Sequence, residues 1–123
     1  MTIQRFQGTA IQLDFGSLTE SSFSQKLEQF ATQKILILVD ENTQQHCLEY
    51  LLTSFEKLSH AEVIVLPPGE ETKSIEYAVQ LWELLTDYEV TKKDLLICLG
   101  GGVVSDLGAF VASTYKRGLH CIL

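Results

Sequence analysis

Four short, unbroken apolar runs limit what this chain can fold into: residues 35–39, 63–66, 95–99 and 119–123. A run with no polar alternation suits a strand covered on both faces, as in a parallel sheet. Between the runs, apolar residues recur at helical spacing. They are Phe23, Leu27, Phe30 and Ala31, then Leu48, Leu51, Leu52 and Phe55, then Ile75, Ala78, Val79 and Trp82, and finally Val104, Leu107, Gly108 and Val111. Each stripe predicts a helix lying on the sheet, with Trp82 in the core. Strand and helix in alternation mean βαβ units with right-handed crossovers. The fold expected is α/β, a Rossmann-like three-layer domain with a mainly parallel sheet. Residues 11–15 alternate instead, which predicts an edge strand or hairpin piece with one wet face.

The 123 residues predict one domain spanning 1–123, and 46% hydrophobic content supplies its core. Nine basic against sixteen acidic residues give a net charge of −7, a poor balance for nucleic acid or an anionic membrane. The longest aliphatic run, Ile35-Leu36-Ile37-Leu38-Val39, is too short to span a bilayer, and the N-terminus has no apolar signal region. A soluble, cytoplasmic protein is expected. Cys47, Cys98 and Cys121 are widely spaced and odd in number, which predicts buried reduced thiols rather than a disulfide framework. His46, His60 and His120 have no ligand spacing, so no metal site is expected within the chain. The chain closes on an apolar run without a polar tail, which reads as a domain cut from something longer.

Ligands in doubly wound sheets bind at the carboxyl ends of strands, so three strand-to-helix junctions carry the functional reading. The first is Asp40-Glu41-Asn42-Thr43. A carboxylate there can accept from ribose hydroxyls, although Asp, Asn and Thr are also ordinary helix N-caps. The second is Pro67-Pro68-Gly69-Glu70-Glu71-Thr72-Lys73-Ser74. Its prolines and glycine fix a turn, Ser74 or Thr72 can cap the next helix, and Glu70 and Lys73 can hold a hydroxyl and a phosphate. A solvated charged turn is the plainer alternative. The third is Gly100-Gly101-Gly102-Val103-Val104-Ser105-Asp106. One glycine would serve a tight turn, whereas three let backbone amides at a helix N-terminus approach a pyrophosphate. Read as Gly-x-Gly-x-x-Ser, this loop is a degraded dinucleotide fingerprint that follows the wrong strand for an ordinary dehydrogenase. Past the last helical stripe, Lys116 and Arg117 add two cations, and Arg117 can fork onto a phosphate or carboxylate or merely complement the helix C-terminus.

In series, Pro68-Gly69-Glu70-x-x-Lys73, Gly100-Gly101-Gly102-Val103-Val104-x-Asp106 and Ala112-Ser113-Thr114-Tyr115-x-Arg117-Gly118 resemble the 3-dehydroquinate synthase family, in order from about Asp40 onward. The resemblance implies the N-terminal half of a dehydroquinate synthase-like fold. It also implies an NAD- and metal-dependent enzyme that converts 3-deoxy-D-arabino-heptulosonate 7-phosphate to 3-dehydroquinate and phosphate in the shikimate pathway. Transient oxidation by NAD acidifies a neighbouring C–H, which is why a redox-neutral cyclisation needs the cofactor. Carried over by position, Asp40, Asn42, Glu70, Lys73, Gly101, Gly102, Val103 and Asp106 contact NAD, and Arg117 contacts the substrate anion. Ser105 stands where glycine is usual, and Lys116 where methionine or a similar residue is common.

The resemblance places the zinc or cobalt ligands and the other substrate-binding groups in a helical C-terminal domain absent from this chain. No catalytic residue is therefore expected here, the chain alone should be inactive, and the full-length enzyme should be a homodimer. Other sugar phosphate cyclases, metal-dependent alcohol dehydrogenases and a non-catalytic nucleotide-binding module remain as alternatives.

Overall fold

The apolar runs become strands of one parallel sheet with the order β2-β1-β3-β4. The strands are β1 (Ile35–Asp40), β2 (Glu62–Leu66), β3 (Leu95–Leu99) and β4 (His120–Ile122). The structure, a computed structural model, describes residues 21–67, 74–115 and 119–122. The alternating segment 11–15 and the residues Glu70, Lys73, Lys116 and Arg117 lie outside them. Helix α1 (Ser21–Glu28) precedes β1. From β1 to β2 the chain runs through α2 (Glu41–Thr43), a π-helical stretch (Gln44–Leu48), α3 (Glu49–Ser54) and a 3-10 turn (Glu56–Leu58). Helix α4 (Ile75–Asp87) joins β2 to β3, and α5 (Gly102–Thr114) joins β3 to β4.

Alternate residues of the central strands face two separate cores. Ile35, Ile37, Val39, Leu95 and Ile97 pack with Leu27, Phe30, Leu48, Leu51 and Phe55 on the α1/α3 side. Leu36, Leu38, Leu96 and Cys98 pack with Ala78, Leu81, Leu85, Val104, Leu107 and Val111 on the α4/α5 side. Helices on both faces give the expected three layers, and buried faces on both sides explain why β1 and β3 carry no polar alternation. The outer strands differ from expectation. In β2 only Ile64 and Leu66 are buried, and Val65 is exposed. In β4 His120 is exposed, and Cys121 and Ile122 are half-buried. An edge strand has a neighbour on one side only, so its helical cover is incomplete.

Two helical stripes sit differently from the sequence reading. In α4 the buried residues are Ala78, Leu81 and Leu85, whereas Ile75 and Val79 are 60% and 40% exposed. Trp82 is half-buried, with Nε1 donating to Thr114 Oγ1 of α5 at 2.9 Å, so it ties two helices together at the rim of the core. In the first stripe α1 stops at Glu28, Phe30 donates to the Leu27 carbonyl in a tight turn, and Ala31 is exposed.

At the amino edge of the sheet a buried carboxylate fastens β1 to β3. Asp94, 3% exposed, accepts from the Lys34 N–H at 2.9 Å and from the Thr91 N–H at 2.8 Å. Helix α4 ends in a Schellman motif, with Val90 N–H donating to the Leu85 carbonyl and Glu89 N–H to the Thr86 carbonyl, each at 3.0 Å. The left-handed position there, usually glycine, is occupied by Glu89 at φ 56°.

Candidate functional site

The winding of the chain creates a crevice between β1 and β3. From β1 the chain moves outward to β2 on one face, then returns across the other face to β3 on the far side of β1. Such a reversal leaves the carboxyl ends of the two central strands uncovered between diverging connections, where ligands bind in open α/β sheets. Val39 pairs with Leu99, so one step further Asp40 stands beside Gly100. On the other flank Asp40 pairs with Leu66, the last residue of β2. The first and third junctions thus share one edge, and β2 delivers the chain to that same edge; Glu70 and Lys73, which follow, lie outside the described residues.

Asp40 performs the capping role that was its plainer alternative. Its Oδ1 accepts from the Thr43 N–H at 2.8 Å and the Thr43 hydroxyl at 3.0 Å, while Thr43 Oγ1 accepts from the Asp40 N–H at 3.0 Å. This reciprocal capping box fixes the start of the helical stretch and holds the half-buried carboxylate at the mouth of the crevice. Both contacts of the carboxylate use Oδ1, so capping leaves acceptor capacity on a group that takes about four hydrogen bonds when ionised. Asn42, two residues further on, is exposed.

The glycines of the third junction separate by what surrounds them. A Cβ on Gly100 would lie 2.8–2.9 Å from the Val104 side chain, and one on Gly108 would lie 2.1 Å from Cys98 Sγ. Packing alone accounts for both. Among the described residues, a Cβ at Gly101 or Gly102 would meet nothing within 4 Å, and neither has a positive φ. Neither the interior nor the backbone conformation demands glycine there, which leaves the helix start open to a ligand. Gly101 is the N-cap of α5, and no side chain caps it. The first intrahelical bond runs from Ser105 N–H to the Gly101 carbonyl at 3.1 Å. The N–H groups at the head of the 13-residue helix, with its partial positive charge, suit an anion. A dinucleotide pyrophosphate fits this arrangement: bare backbone, amide donors and a carboxylate on the adjoining strand.

Exposed Asp106, one turn into α5, lines a groove of about 290 Å³ with Ser74, Ile75, Leu107 and Phe110. Ser74 caps α4, accepting from the Tyr77 N–H at 3.4 Å, so the head of α4 and the middle of α5 line one groove. Val103 is half-buried in the first turn of α5.

Three features escaped the sequence reading. Gly108 was assigned to an ordinary helix face, although a glycine on a buried stripe already signals close helix–strand approach. Asp94 gave no signal beyond its place before a strand. Of the cysteines expected to be buried, Cys47 is exposed and Cys121 half-buried. Cys98 and Cys121, distant in sequence, lie with their sulfurs 3.9 Å apart. Among the described residues, no three His, Cys, Asp or Glu side chains gather to hold a metal, so that site finds no fit among them. No described helix is long and apolar enough to cross a membrane.

The family profile 3-dehydroquinate synthase N-terminal matches residues 63–123. The 3-dehydroquinate synthase of Clostridium botulinum (strain Alaska E43 / Type E3) is 43% identical over 91 residues, 73% of this chain and 26% of that protein. That of Streptococcus pyogenes serotype M49 (strain NZ131) is 40% identical over 90 residues, 73% of this chain and 25% of that protein. This chain thus spans about a quarter of the length of the curated relatives it matches. Among solved structures, 2-deoxy-scyllo-inosose synthase complexed with carbaglucose-6-phosphate, NAD+ and Co2+ superposes with a TM-score of 0.75 at 21% identity. It covers 98% of this chain and 34% of that one, a likeness of fold. Over the stretch that holds the glycine loop, profile and relatives both match this chain to the N-terminal part of the 3-dehydroquinate synthase family.

Proposed function

We propose that this chain is the NAD-holding part of a 3-dehydroquinate synthase, which converts 3-deoxy-D-arabino-heptulosonate 7-phosphate to 3-dehydroquinate and phosphate. The observation that carries the reading is the pair of unobstructed glycines, Gly101 and Gly102, at the head of α5 beside Asp40. In this reading the amides of Gly101, Gly102 and Val103 take the pyrophosphate. Asp40 and Asn42 hold the nucleotide on the β1 side, Glu70 and Lys73 contact it from the second junction, and Asp106 contacts it from α5. Bound NAD supplies a hydride acceptor that later returns the hydride. This chain binds and orients the cofactor. Arg117 is assigned to the substrate anion. The zinc or cobalt ion, its ligands and the remaining chemistry are assigned to a C-terminal domain outside this sequence, and the complete enzyme to a cytoplasmic homodimer.

The test is phosphate release from the heptulosonate phosphate by the complete reading frame containing this chain, with NAD and zinc or cobalt. NAD-dependent phosphate release supports the proposal. Turnover of a different sugar phosphate alone, or of an alcohol, would replace it. In that enzyme Arg117→Ala is expected to raise the Michaelis constant for the sugar phosphate at least tenfold, about the 1.5–3 kcal/mol of a charge-assisted contact, and to leave NAD affinity nearly unchanged.

A further inference from the structure

We propose that Cys98 and Cys121 form an oxidisable dithiol, a modification site that closes into a disulfide between β3 and β4 beneath α5. The inference is independent of the cofactor reading. Leu96 pairs with Cys121 in the β3–β4 ladder, and Cys98 lies two residues past Leu96. The pleat therefore puts both cysteines on the α4/α5 face. Their sulfurs stand 3.9 Å apart, against about 2.05 Å in a disulfide.

The two thiols are unequal. Cys98 is buried and Cys121 half-buried, so an oxidant meets Cys121 first. The hydrogen bond to Cys121, together with burial, holds the Cys98 thiol protonated far above the ordinary range. The same hydrogen bond pulls the Cys121 thiol below its ordinary value. Cys121 is thus the nucleophile and Cys98 the resolving thiol.

With hydrogen peroxide as oxidant, the Cys121 thiolate attacks one peroxide oxygen. An S–O bond forms, the O–O bond breaks, and the departing hydroxide takes a proton to become water. Cys98 then gives up its proton and attacks the Cys121 sulfur. The S–S bond forms, the S–O bond breaks, and a second water leaves. The sulfur pair loses two electrons and the peroxide gains them.

The diagonal placement makes the bond a strained one. Closing it draws Cys98 Sγ from the space left by the missing Cβ of Gly108, where it now seats α5. Strained disulfides are the readily reduced ones, so excess thiol should reopen this one. Exposed Cys47 lies in the π-helical stretch of the other helical layer and serves as an internal control.

The experiment treats the Cys47→Ser protein with a small excess of hydrogen peroxide at neutral pH, followed by alkylation and peptide mass mapping. The expected product is monomeric, two hydrogens lighter, and contains a Cys98–Cys121 cross-linked peptide that excess glutathione abolishes. In the Cys121→Ser protein, oxidation of Cys98 should slow at least tenfold. Were Cys47→Ser to fold poorly, the same map on the unaltered protein separates the pairs. Recovery of Cys98 and Cys121 both alkylated while Cys47 is oxidised would overturn the proposal. So would sulfinic acid at Cys121 without the cross-link.

Discussion

Of the four described glycines, two are required by the protein's interior and two are not, and substitution separates them. Gly102→Val adds a side chain where a Cβ meets nothing within 4 Å, so unfolding free energy should stay within about 0.5–1 kcal/mol of the original. In the complete enzyme the same change should lower NAD affinity tenfold to over a hundredfold, by obstructing contacts of about 1.5–3 kcal/mol each, as read by calorimetric titration. Gly108→Ala places a methyl 2.1 Å from Cys98 Sγ, and this overpacking should cost about 1–3 kcal/mol in urea unfolding. Retained affinity in Gly102→Val would remove the loop from the site. Asp94 invites a second test. Asp94→Ala strips the acceptor from two backbone N–H groups at 2.9 and 2.8 Å, and should destabilise the fold by roughly 3 kcal/mol or more in the same assay. The glycine loop was legible in the sequence because three glycines exceed what a turn needs. The roles of Gly108 and Asp94 were not, since each depends on a partner brought close only by folding: Cys98 on β3, and Lys34 across 60 positions.

Helix ends show where local pattern and tertiary structure part. Helix α4 closes through Glu89 in a left-handed conformation, with buried Val90 following the usual apolar pattern of this cap. A side chain there costs about 1–2 kcal/mol relative to a right-handed conformation. Glu89→Gly should therefore raise stability by up to about 1 kcal/mol after the extra chain entropy of glycine is subtracted, seen as a higher midpoint in thermal unfolding. Unchanged or lower stability would mean that the Glu89 side chain supplies more than its strain costs. No glycine marked this helix end, so periodicity alone set the stripe and placed Ile75 and Val79 inside. The buried set Ala78, Leu81 and Leu85 has equally good spacing, and only the direction from which the sheet approaches chooses between them. The π-helical stretch at Gln44–Leu48 was likewise unreadable, because the change in helical pitch has no fixed residue signature. The strands fared better. Runs covered on both faces admit no polar residue, so β1 and β3 could be read directly.

At the scale of the whole molecule, the layered sheet follows from the order of apolar runs, and the site follows from the strand order 2-1-3-4. The isolated chain should bind NAD weakly or not at all and show no cyclase turnover even with zinc added, as measured by fluorescence titration and phosphate release. Turnover by the chain alone would return the assigned metal chemistry to these residues. The junction of β1 with β3 has a further consequence for how the chain assembles. Each parallel pair must wait for its crossover helix, and β1 meets β3 only after a loop of about 60 residues has closed, at roughly 3–4 kcal/mol of chain entropy. A nascent chain can pair β1 with β2 early, but the crevice has only one wall until β3 emerges and docks. The proposed cofactor edge therefore waits for β3 to dock, and a dinucleotide that grips both walls would slow the loss of that pairing.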